Sequence, residues 1–233
     1  MTPPSQLQVV PIAALHPHES TEPARVARLT AELRALGHQQ HPVLAAPVGS
    51  RWLLLDGHHR VGALAALGID AVLAQQVDLD AGVEVGAWTH EVASEIGDVG
   101  AGARALGSGG TPVARIHTAR GSTEHRSART DLAARVAAMH ELAGRYAGLP
   151  YRRVTRREPW ARSAAARVEY AALSVRDCLL LVERGLALPA GVTRFVVTPR
   201  ILNVRMPLAR LAGSGPAGPA GPAGTAAQLG GAA

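Results

Sequence analysis

The sequence contains no lysine, so all 24 of its basic residues are arginine. This absence excludes a phosphate-binding Walker lysine, a Schiff-base lysine and a lysine general base. Cysteine is nearly absent as well. The single residue, Cys178, excludes an internal disulfide and argues against a thiolate metal cluster. Its position in the apolar stretch RDCLLLVERG predicts a packing role.

Long hydrophobic runs are also missing. No apolar stretch approaches the roughly 18 residues that a membrane span needs, and the first ten residues lack the basic-then-apolar order of a signal peptide. With 233 residues, 47% of them hydrophobic, the chain can nevertheless bury a substantial core. We therefore expect a soluble, cytoplasmic, globular protein with no membrane partner.

Charge is distributed unevenly. Residues 1–100 hold 11 acidic residues and 5 arginines, whereas residues 101–233 hold 7 acidic residues and 19 arginines. A basic half can bind nucleic acid or another polyanion. Aromatic residues make up only 3% of the chain and are not interleaved with the arginines. We therefore favour the simpler interpretation that arginine replaces lysine throughout, and nucleic acid stays an unfavoured alternative.

The N-terminal pattern predicts a compact α/β unit. A strand at 7–12 precedes a helix that Ser20 or Thr21 can cap, with Pro23 in its first turn and Gly37 at its end. Two strands separated by a Gly-Ser turn follow, and then a helix at 58–68 and an apolar strand at 69–79.

The remaining chain is less regular. Residues 96–126 are rich in Gly, Ala, Ser and Thr and predict a loop or lid, helices are predicted at 129–148 and 174–185, and a strand at 193–204. We predict a mixed α/β protein in three parts. Residues 1–90 form a catalytic unit. Residues 91–212 form a mostly helical, arginine-rich second part that contains a closing strand. Residues 213–233 form a disordered Gly/Pro/Ala tail.

The most informative motif is DGHHR at residues 56–60, where a strand gives way to a helix. The first N–H groups of a helix attract anions such as phosphate. Gly57 permits close backbone approach, Arg60 adds a charged fork, and His58 or His59 can donate hydrogen bonds or transfer a proton. Asp56 can orient a histidine, bind a cation or hold a substrate amine. The motif therefore predicts a phosphate or nucleotide site, whereas adjacent histidines do not suit a single zinc ion.

A second constellation is LHPHESTEPAR at 15–25, where Glu19 lies just before a helix. The hydrophobic pattern does not require a carboxylate there. Support of the helix dipole and a functional role both account for it.

Together, LHPHE, PVLAAP and DGHHR resemble the ParB/sulfiredoxin-like superfamily, and within it the free L-serine kinases. The segment LPAGVTRFVVTPRILNVRMPLARL (188–211) resembles the closing segment of those kinases, whereas residues 90–185 match poorly. The resemblance implies transfer of a phosphoryl group from ATP or ADP to free L-serine, giving O-phospho-L-serine, with Mg²⁺ bridging phosphate oxygens.

The resemblance also implies roles for individual residues. Glu19 would be the catalytic base, with His18 beside it. Asp56 and His58 would take part in catalysis, and Asp56 is the predicted Mg²⁺ ligand. Gly57, His58, His59 and Arg60 would bind the nucleotide. His18, Trp88 and Arg200 are the predicted substrate-binding residues, although a packing role accounts equally well for Trp88. Arg25, Arg152, Arg153 and Arg200 are candidates to neutralise the remaining phosphate charge.

Three other interpretations compete with a serine kinase. Sulfiredoxins carry a catalytic cysteine in a G-C-H-R turn; this chain has histidine there and its only cysteine, Cys178, lies elsewhere in an apolar helix, so sulfiredoxin chemistry is disfavoured. ParB-type proteins use a G-E-R-R box followed by a helix-turn-helix, and a nucleotide-binding DNA-binding or regulatory protein is therefore the stronger rival. A binding module without catalysis could use the same phosphate site.

Overall fold

A computed structural model of the chain describes residues 6–81, 83–94, 96 and 110–213. The strands of the described part are β1 Leu7–Pro11, β2 Leu15–Pro17, β3 His38–Gln39, β4 Val43–Val48, β5 Arg51–Asp56, β6 Ala71–Gln76, β7 Glu84–Ala87, β8 Thr89–Val92, β9 Thr111–Thr118, β10 Gly121–Ser127, β11 Tyr151–Val154, β12 Ala166–Tyr170, β13 Thr193–Val196 and β14 Met206–Pro207. The α-helices are α1 Pro23–Leu36, α2 His58–Ala66, α3 Leu132–Gly144, α4 Val175–Glu183 and α5 Leu208–Leu211. The predicted mixed α/β class is confirmed.

The first sheet is mixed and has the strand order β1-β6-β4-β5-β2. β4 and β5 form the predicted antiparallel pair, whereas β4 and β6 run parallel. Helices α1 and α2 cover one face, where Leu33, Leu54 and Leu64 are buried in a common core. The opposite face packs against Cys178 and Phe195. Cys178 is fully buried, as predicted, and burial raises the pKa of its thiol to about 12.

The second sheet is antiparallel throughout, in the order β10-β9-β12-β8-β11. Helix α3 packs on it and buries Val136, Met139 and Leu142. The second part was predicted to be mostly helical, but it is not, because strands β9 and β10 replace much of the expected loop at 96–126. Val113 and Ile116 of β9 are fully buried, and their branched side chains suit a half-buried strand better than a loop. Residues 97–109 of that predicted loop lie outside the described residues.

Two short pairs join the closing segment to earlier parts of the chain. β13 pairs with β7, and β14 pairs with β3. The strand predicted at 193–204 ends at Val196, which pairs with Glu84 at the start of β7, and Pro199 has no N–H with which to extend the ladder. The predicted boundary between residues 90 and 91 falls inside β8, and residues 214–233 of the predicted tail lie outside the described residues.

Helix α1 begins as predicted with Pro23 and ends at Gly37, which adopts a left-handed conformation. The predicted cap is wrong. Glu22 occupies the N-cap position without a side-chain bond. The hydroxyl of Ser20 does not cap the helix but donates to the carbonyl of Leu188. No helix among the described residues is long and apolar enough to cross a membrane.

Candidate active site

The DGHHR turn has the predicted geometry. β5 ends at Asp56, Gly57 is the N-cap residue with φ of 104°, and α2 begins at His58. A Cβ atom at Gly57 would lie 2.5 Å from Cγ1 of Val43, so both the conformation and the space require glycine. The first N–H groups of α2 therefore open directly at the end of the strand.

Glu19 lies on the segment between β2 and α1 and is held by the closing segment. Its Oε1 accepts a hydrogen bond of 2.6 Å from the N–H of Thr193, and its Oε2 accepts one of 2.9 Å from the N–H of Gly191. The hydroxyl of Thr193 also contacts Oε1, at 2.5 Å. A backbone bridge between Glu19 and Leu188 aligns the two segments. The carboxylate is only 7% exposed and has a fixed orientation.

His18 lies behind Glu19 and is completely buried. Its Nδ1 is 2.8 Å from the carbonyl oxygen of Leu54, and its Nε2 is 2.7 Å from the hydroxyl of Thr193. Because both ring nitrogens are engaged inside the protein, the predicted direct contact with a substrate does not fit this structure. His18 instead supports the residues that orient Glu19.

The two histidines of the turn differ in their surroundings. His58 is buried, with Nδ1 3.9 Å from Oε2 of Glu19, and its Nε2 has no hydrogen-bond partner in the part of the chain that the structure describes. Burial, followed by the neighbouring His18, lowers its pKa well below the usual value, so the ring is neutral at pH 7. His59 accepts a hydrogen bond of 3.0 Å from the backbone N–H of Glu22 and thereby fixes the start of α1.

Asp56 forms an ion pair with Arg200, so the structure brings together two predicted site residues that are far apart in the sequence. Burial opposes ionisation of Asp56, but Arg200 and then Arg60 outweigh it and lower the pKa of the carboxyl. Arg60 also donates a hydrogen bond of 3.0 Å to the carbonyl of Pro42, which orients its guanidinium.

An open cleft of about 1150 Å³ lies between the start of α1 and the segment that links α3 to β11, and its lining begins at Ser20, the residue after Glu19. Ser20, Arg25, Arg28 and Arg153 line it. Burial, followed by repulsion from Arg153, lowers the pKa of Arg25. Cationic side chains converge on this cleft, and it therefore suits an anionic ligand. The DGHHR residues are not part of its lining.

The four arginines proposed to neutralise phosphate charge are not equivalent. Arg25 and Arg153 line the cleft, and Arg200 pairs with Asp56. Arg152 lies on the opposite face of β11 from Arg153 and pairs at 2.7 Å with the buried Glu91. Alternation along a strand explains why consecutive arginines serve different purposes.

Trp88 lies between the cleft and the closing segment. Its backbone N–H donates to the carbonyl of Val192, and its ring is flanked by Arg153 at 5.7 Å and Arg194 at 5.2 Å. Both distances suit cation–π contacts. Trp88 is half-buried, so the structure accommodates both the packing role and a ligand-facing role.

Gly191, Thr193 and Tyr151 also belong to the site, although the sequence did not predict roles for them. Gly191 has φ of 73°, and a Cβ there would lie 2.9 Å from Cδ of Arg153. Tyr151 donates a hydrogen bond of 3.0 Å to Glu22 at the rim of the cleft. Thr193 lies in the closing segment that resembles the serine kinases, which was a signal for it, but its contact with Glu19 depends on tertiary structure.

No family model matches the chain. Among curated proteins, it is 27% identical over 213 residues to the ATP-dependent L-serine kinase SbnI of Staphylococcus aureus, covering 88% of this chain and 84% of that protein. It is also 30% identical over 91 residues to the ATP-dependent L-serine kinase of Staphylothermus marinus, covering 38% of this chain and 36% of that protein.

Comparison with solved structures gives the same result as the comparison with curated proteins. A C-terminally truncated SbnI from Staphylococcus aureus superimposes with a TM-score of 0.70 at 22% identity, covering 90% of each chain. A free serine kinase in complex with AMP superimposes with a TM-score of 0.68 at 17% identity, covering 88% of this chain and 93% of that chain. The chain has the free serine kinase fold. The resemblance predicted from the sequence is thus confirmed, and the superpositions cover about nine-tenths of the chain.

Proposed function

We propose that this protein is a kinase that transfers a phosphoryl group from a nucleotide to the hydroxyl of free L-serine, giving O-phospho-L-serine. The observation that carries this proposal is the buried carboxylate of Glu19, which the closing segment holds in place and which immediately precedes the residues that line an arginine-rich cleft. It occurs in a chain similar over 88% of its length to an ATP-dependent L-serine kinase. ATP is the donor that these relatives favour, and ADP is the alternative donor.

In the proposed reaction, the serine hydroxyl oxygen attacks the terminal phosphorus of the nucleotide. A new O–P bond forms while the P–O bond to the leaving nucleotide breaks, and Glu19 accepts the hydroxyl proton. The N–H groups of Gly191 and Thr193 fix the carboxylate so that little reorganisation is needed. A lone pair of Oε2 on the side of His58 is then available for the proton.

Phosphate binding is assigned to the start of α2 and to the cleft arginines. The N–H groups that follow Gly57, together with the side chain of Arg60, would contact phosphate oxygens. His58 is neutral, and its Nε2 has no partner among the residues described in the structure, so it can donate one hydrogen bond to a phosphate oxygen. Arg25 and Arg153 would neutralise charge that develops on the transferring group. We further propose that Trp88 packs against the bound amino acid.

The chain itself offers little to a magnesium ion. Among the described residues, no group of three or more His, Cys, Asp or Glu side chains could hold a metal. Asp56, the predicted ligand, is ion-paired with Arg200. The residues present therefore do not form a metal cage, and we assign no step to a metal. Any Mg²⁺ would depend mainly on nucleotide oxygens.

The DNA-binding alternative finds no support in the second part. A helix-turn-helix needs two helices joined by a turn of three or four residues. In the described residues, α3 and α4 are separated by strands β11 and β12. Several arginines of this half are already paired with carboxylates, including Arg152 with Glu91 and Arg156 with Glu169.

A direct assay tests the proposal. Purified protein is incubated with L-serine, Mg²⁺ and either ATP or ADP, and O-phosphoserine is measured by mass spectrometry. We expect product with L-serine and none when serine is replaced by alanine, which lacks the hydroxyl. Nucleotide hydrolysis without phosphoserine under all conditions would refute the proposed function.

A further inference from the structure

Glu19, Thr193 and His18 form a chain of three short contacts that ends on a backbone carbonyl. Oε1 of Glu19 lies 2.5 Å from the hydroxyl oxygen of Thr193, which lies 2.7 Å from Nε2 of His18, and Nδ1 of His18 lies 2.8 Å from the carbonyl oxygen of Leu54. A carbonyl oxygen can only accept, so Nδ1 must carry a hydrogen.

These three contacts need three hydrogens. A neutral imidazole has one N–H and a threonine hydroxyl has one O–H, so a neutral His18 and Thr193 supply only two. The third hydrogen must come from the carboxyl group of Glu19 or from a second N–H on His18. Without it, one contact would bring two lone pairs together at hydrogen-bond distance inside the protein, which is costly.

Two arrangements satisfy every contact. In one, Glu19 is a carboxylic acid that donates to Thr193, and Thr193 donates to a neutral His18. In the other, His18 is an imidazolium that donates to Thr193, and Thr193 donates to an ionised Glu19. The two arrangements interconvert when one hydrogen moves between Glu19 and Thr193 and a second moves between Thr193 and His18, without movement of any heavier atom. We propose that Glu19 and His18 share a single proton through the hydroxyl of Thr193, and that His18 is the positioning residue that sets the charge on Glu19.

Burial isolates this unit from water, because His18 is 0%, Thr193 6% and Glu19 7% exposed. Burial also lowers the pKa of His18, while Glu19 and Asp56 act in the opposite direction. The surrounding elements contribute further titratable groups. The ring of His58 on α2 packs edge-on against His18 at 4.7 Å, and His90 on β8 and Cys178 on α4 are within electrostatic reach of Glu19.

The consequence for catalysis depends on the proposed function. A general base must be ionised before it can take a hydroxyl proton. When the shared proton is on His18, Glu19 is ionised although the unit as a whole is neutral. Glu19 can then act as a base inside the protein, because its negative charge is compensated by the positive charge of His18. The proton of the acceptor hydroxyl moves to Glu19 as the O–P bond forms, and it leaves to solvent after the phosphorylated product departs.

The test follows both partners by NMR in the full-length protein, labelled with ¹⁵N in the histidine rings and ¹³C in the glutamate carboxyl groups. We expect the signals of His18 and Glu19 to change together over the same pH interval. In Thr193→Val, which removes the hydroxyl and keeps the shape, the two should titrate at separate pH values. Thr193→Ser should restore the joint titration.

Thr30→Val is the matched control, because it makes the same change at a hydroxyl that bonds the carbonyl of Val26 within α1, its one hydrogen-bond partner among the described residues. It should behave as wild type. Independent titration of His18 and Glu19 in the wild-type protein would overturn the proposal, and this measurement does not depend on the folding of any variant.

Kinetics add a second readout. If the protein makes O-phosphoserine, the acidic limb of kcat/KM should move to higher pH in Thr193→Val, because the ionised carboxylate loses a hydrogen-bond donor. We expect kcat to fall by about 10-fold with little change in KM, and Thr193→Ser to recover the wild-type profile. An unchanged pH profile in Thr193→Val would count against the shared proton. If the protein makes no phosphoserine but His18 and Glu19 still titrate together, the proposed function would be refuted and the shared proton would stand.

Discussion

The backbone N–H of Gly191 donates a hydrogen bond of 2.9 Å to Oε2 of Glu19, although 172 residues separate the two in the chain. The environment of the proposed base therefore comes from two segments that are far apart in the sequence. Residues 188–193 provide the backbone groups that fix it, and the N-terminal unit provides the carboxylate.

Replacing Glu19 by glutamine should abolish most activity and leave nucleotide binding intact. The amide has nearly the size of the carboxyl group but cannot accept the hydroxyl proton. We expect turnover to fall by at least ~100-fold, in the range for loss of a general base. Glu32→Gln makes the same change on the exposed side of α1 and should retain full activity. Phosphoserine formation and calorimetric nucleotide binding are the measurements, and near-wild-type turnover in Glu19→Gln would remove Glu19 from the assigned role.

Arg153 should matter for nucleotide binding, because its guanidinium lines the cleft and faces Arg25. We expect Arg153→Ala to weaken nucleotide affinity by about 10-fold or more, as for loss of a charged hydrogen bond, with a larger difference at low salt. Arg157→Ala removes an exposed arginine four positions along the chain and should change affinity less than about twofold. Calorimetry at two salt concentrations compares them. Equal losses in both variants would indicate a general charge effect rather than a site at Arg153.

Local features of the site could be predicted from the sequence. The strand-to-helix turn at 56–60 follows from an apolar run, a glycine and a helical pattern, each of which is encoded within a few residues. The contacts of Glu19 could not be predicted in this way, because its partners Gly191 and Thr193 reach it only through the pairing of Glu19 with Leu188. The burial of His18 likewise depends on Phe195 and on β5, which are distant in sequence.

The second sheet was missed for a different physical reason. β11 is four residues long and contains two arginines, and β12 is five residues long with Arg167 and Glu169 within it. Short strands interrupted by charge give a weak alternating pattern. They are stabilised here by cross-strand pairs such as Arg167 with Glu91, at 3.2 Å, which only the assembled sheet creates.

Gly57 should be far less tolerant of substitution than Gly68, although both have positive φ, 104° and 74°. Alanine at Gly68 meets no atom of the described residues within 4 Å, so it should cost only the left-handed backbone, about 1 to 2 kcal/mol. Alanine at Gly57 should cost an additional ~1 to 3 kcal/mol, because its Cβ collides with Val43. Urea unfolding measures both. Similar losses of stability in the two variants would show that the contact with Val43 relaxes freely.

Acid should destabilise the protein through His90. Its Nε2–H donates to the carbonyl of Gly191 and its Nδ1 accepts from the hydroxyl of Tyr146, so the ring is bound in its neutral form. Burial lowers the pKa of His90 to about 4, whereas an unfolded chain would titrate near its usual value of 6.5. Between these values the unfolded state binds more protons. The free energy of unfolding therefore falls as the pH decreases through this window and levels off below it.

From pH 7 to pH 5, His90 alone should cost about 2 kcal/mol of stability. His90→Gln should lower stability at pH 7, because it disturbs the contacts with Gly191 and Tyr146, but it should lose less stability between pH 7 and pH 5 than wild type. The slope that persists should include the contribution of His58, whose pKa burial also lowers well below the usual value. Urea unfolding at both pH values measures the difference. A variant whose loss between the two pH values equals that of wild type would show that His90 becomes charged without unfolding the protein, and that the contact with Gly191 does not depend on a neutral ring.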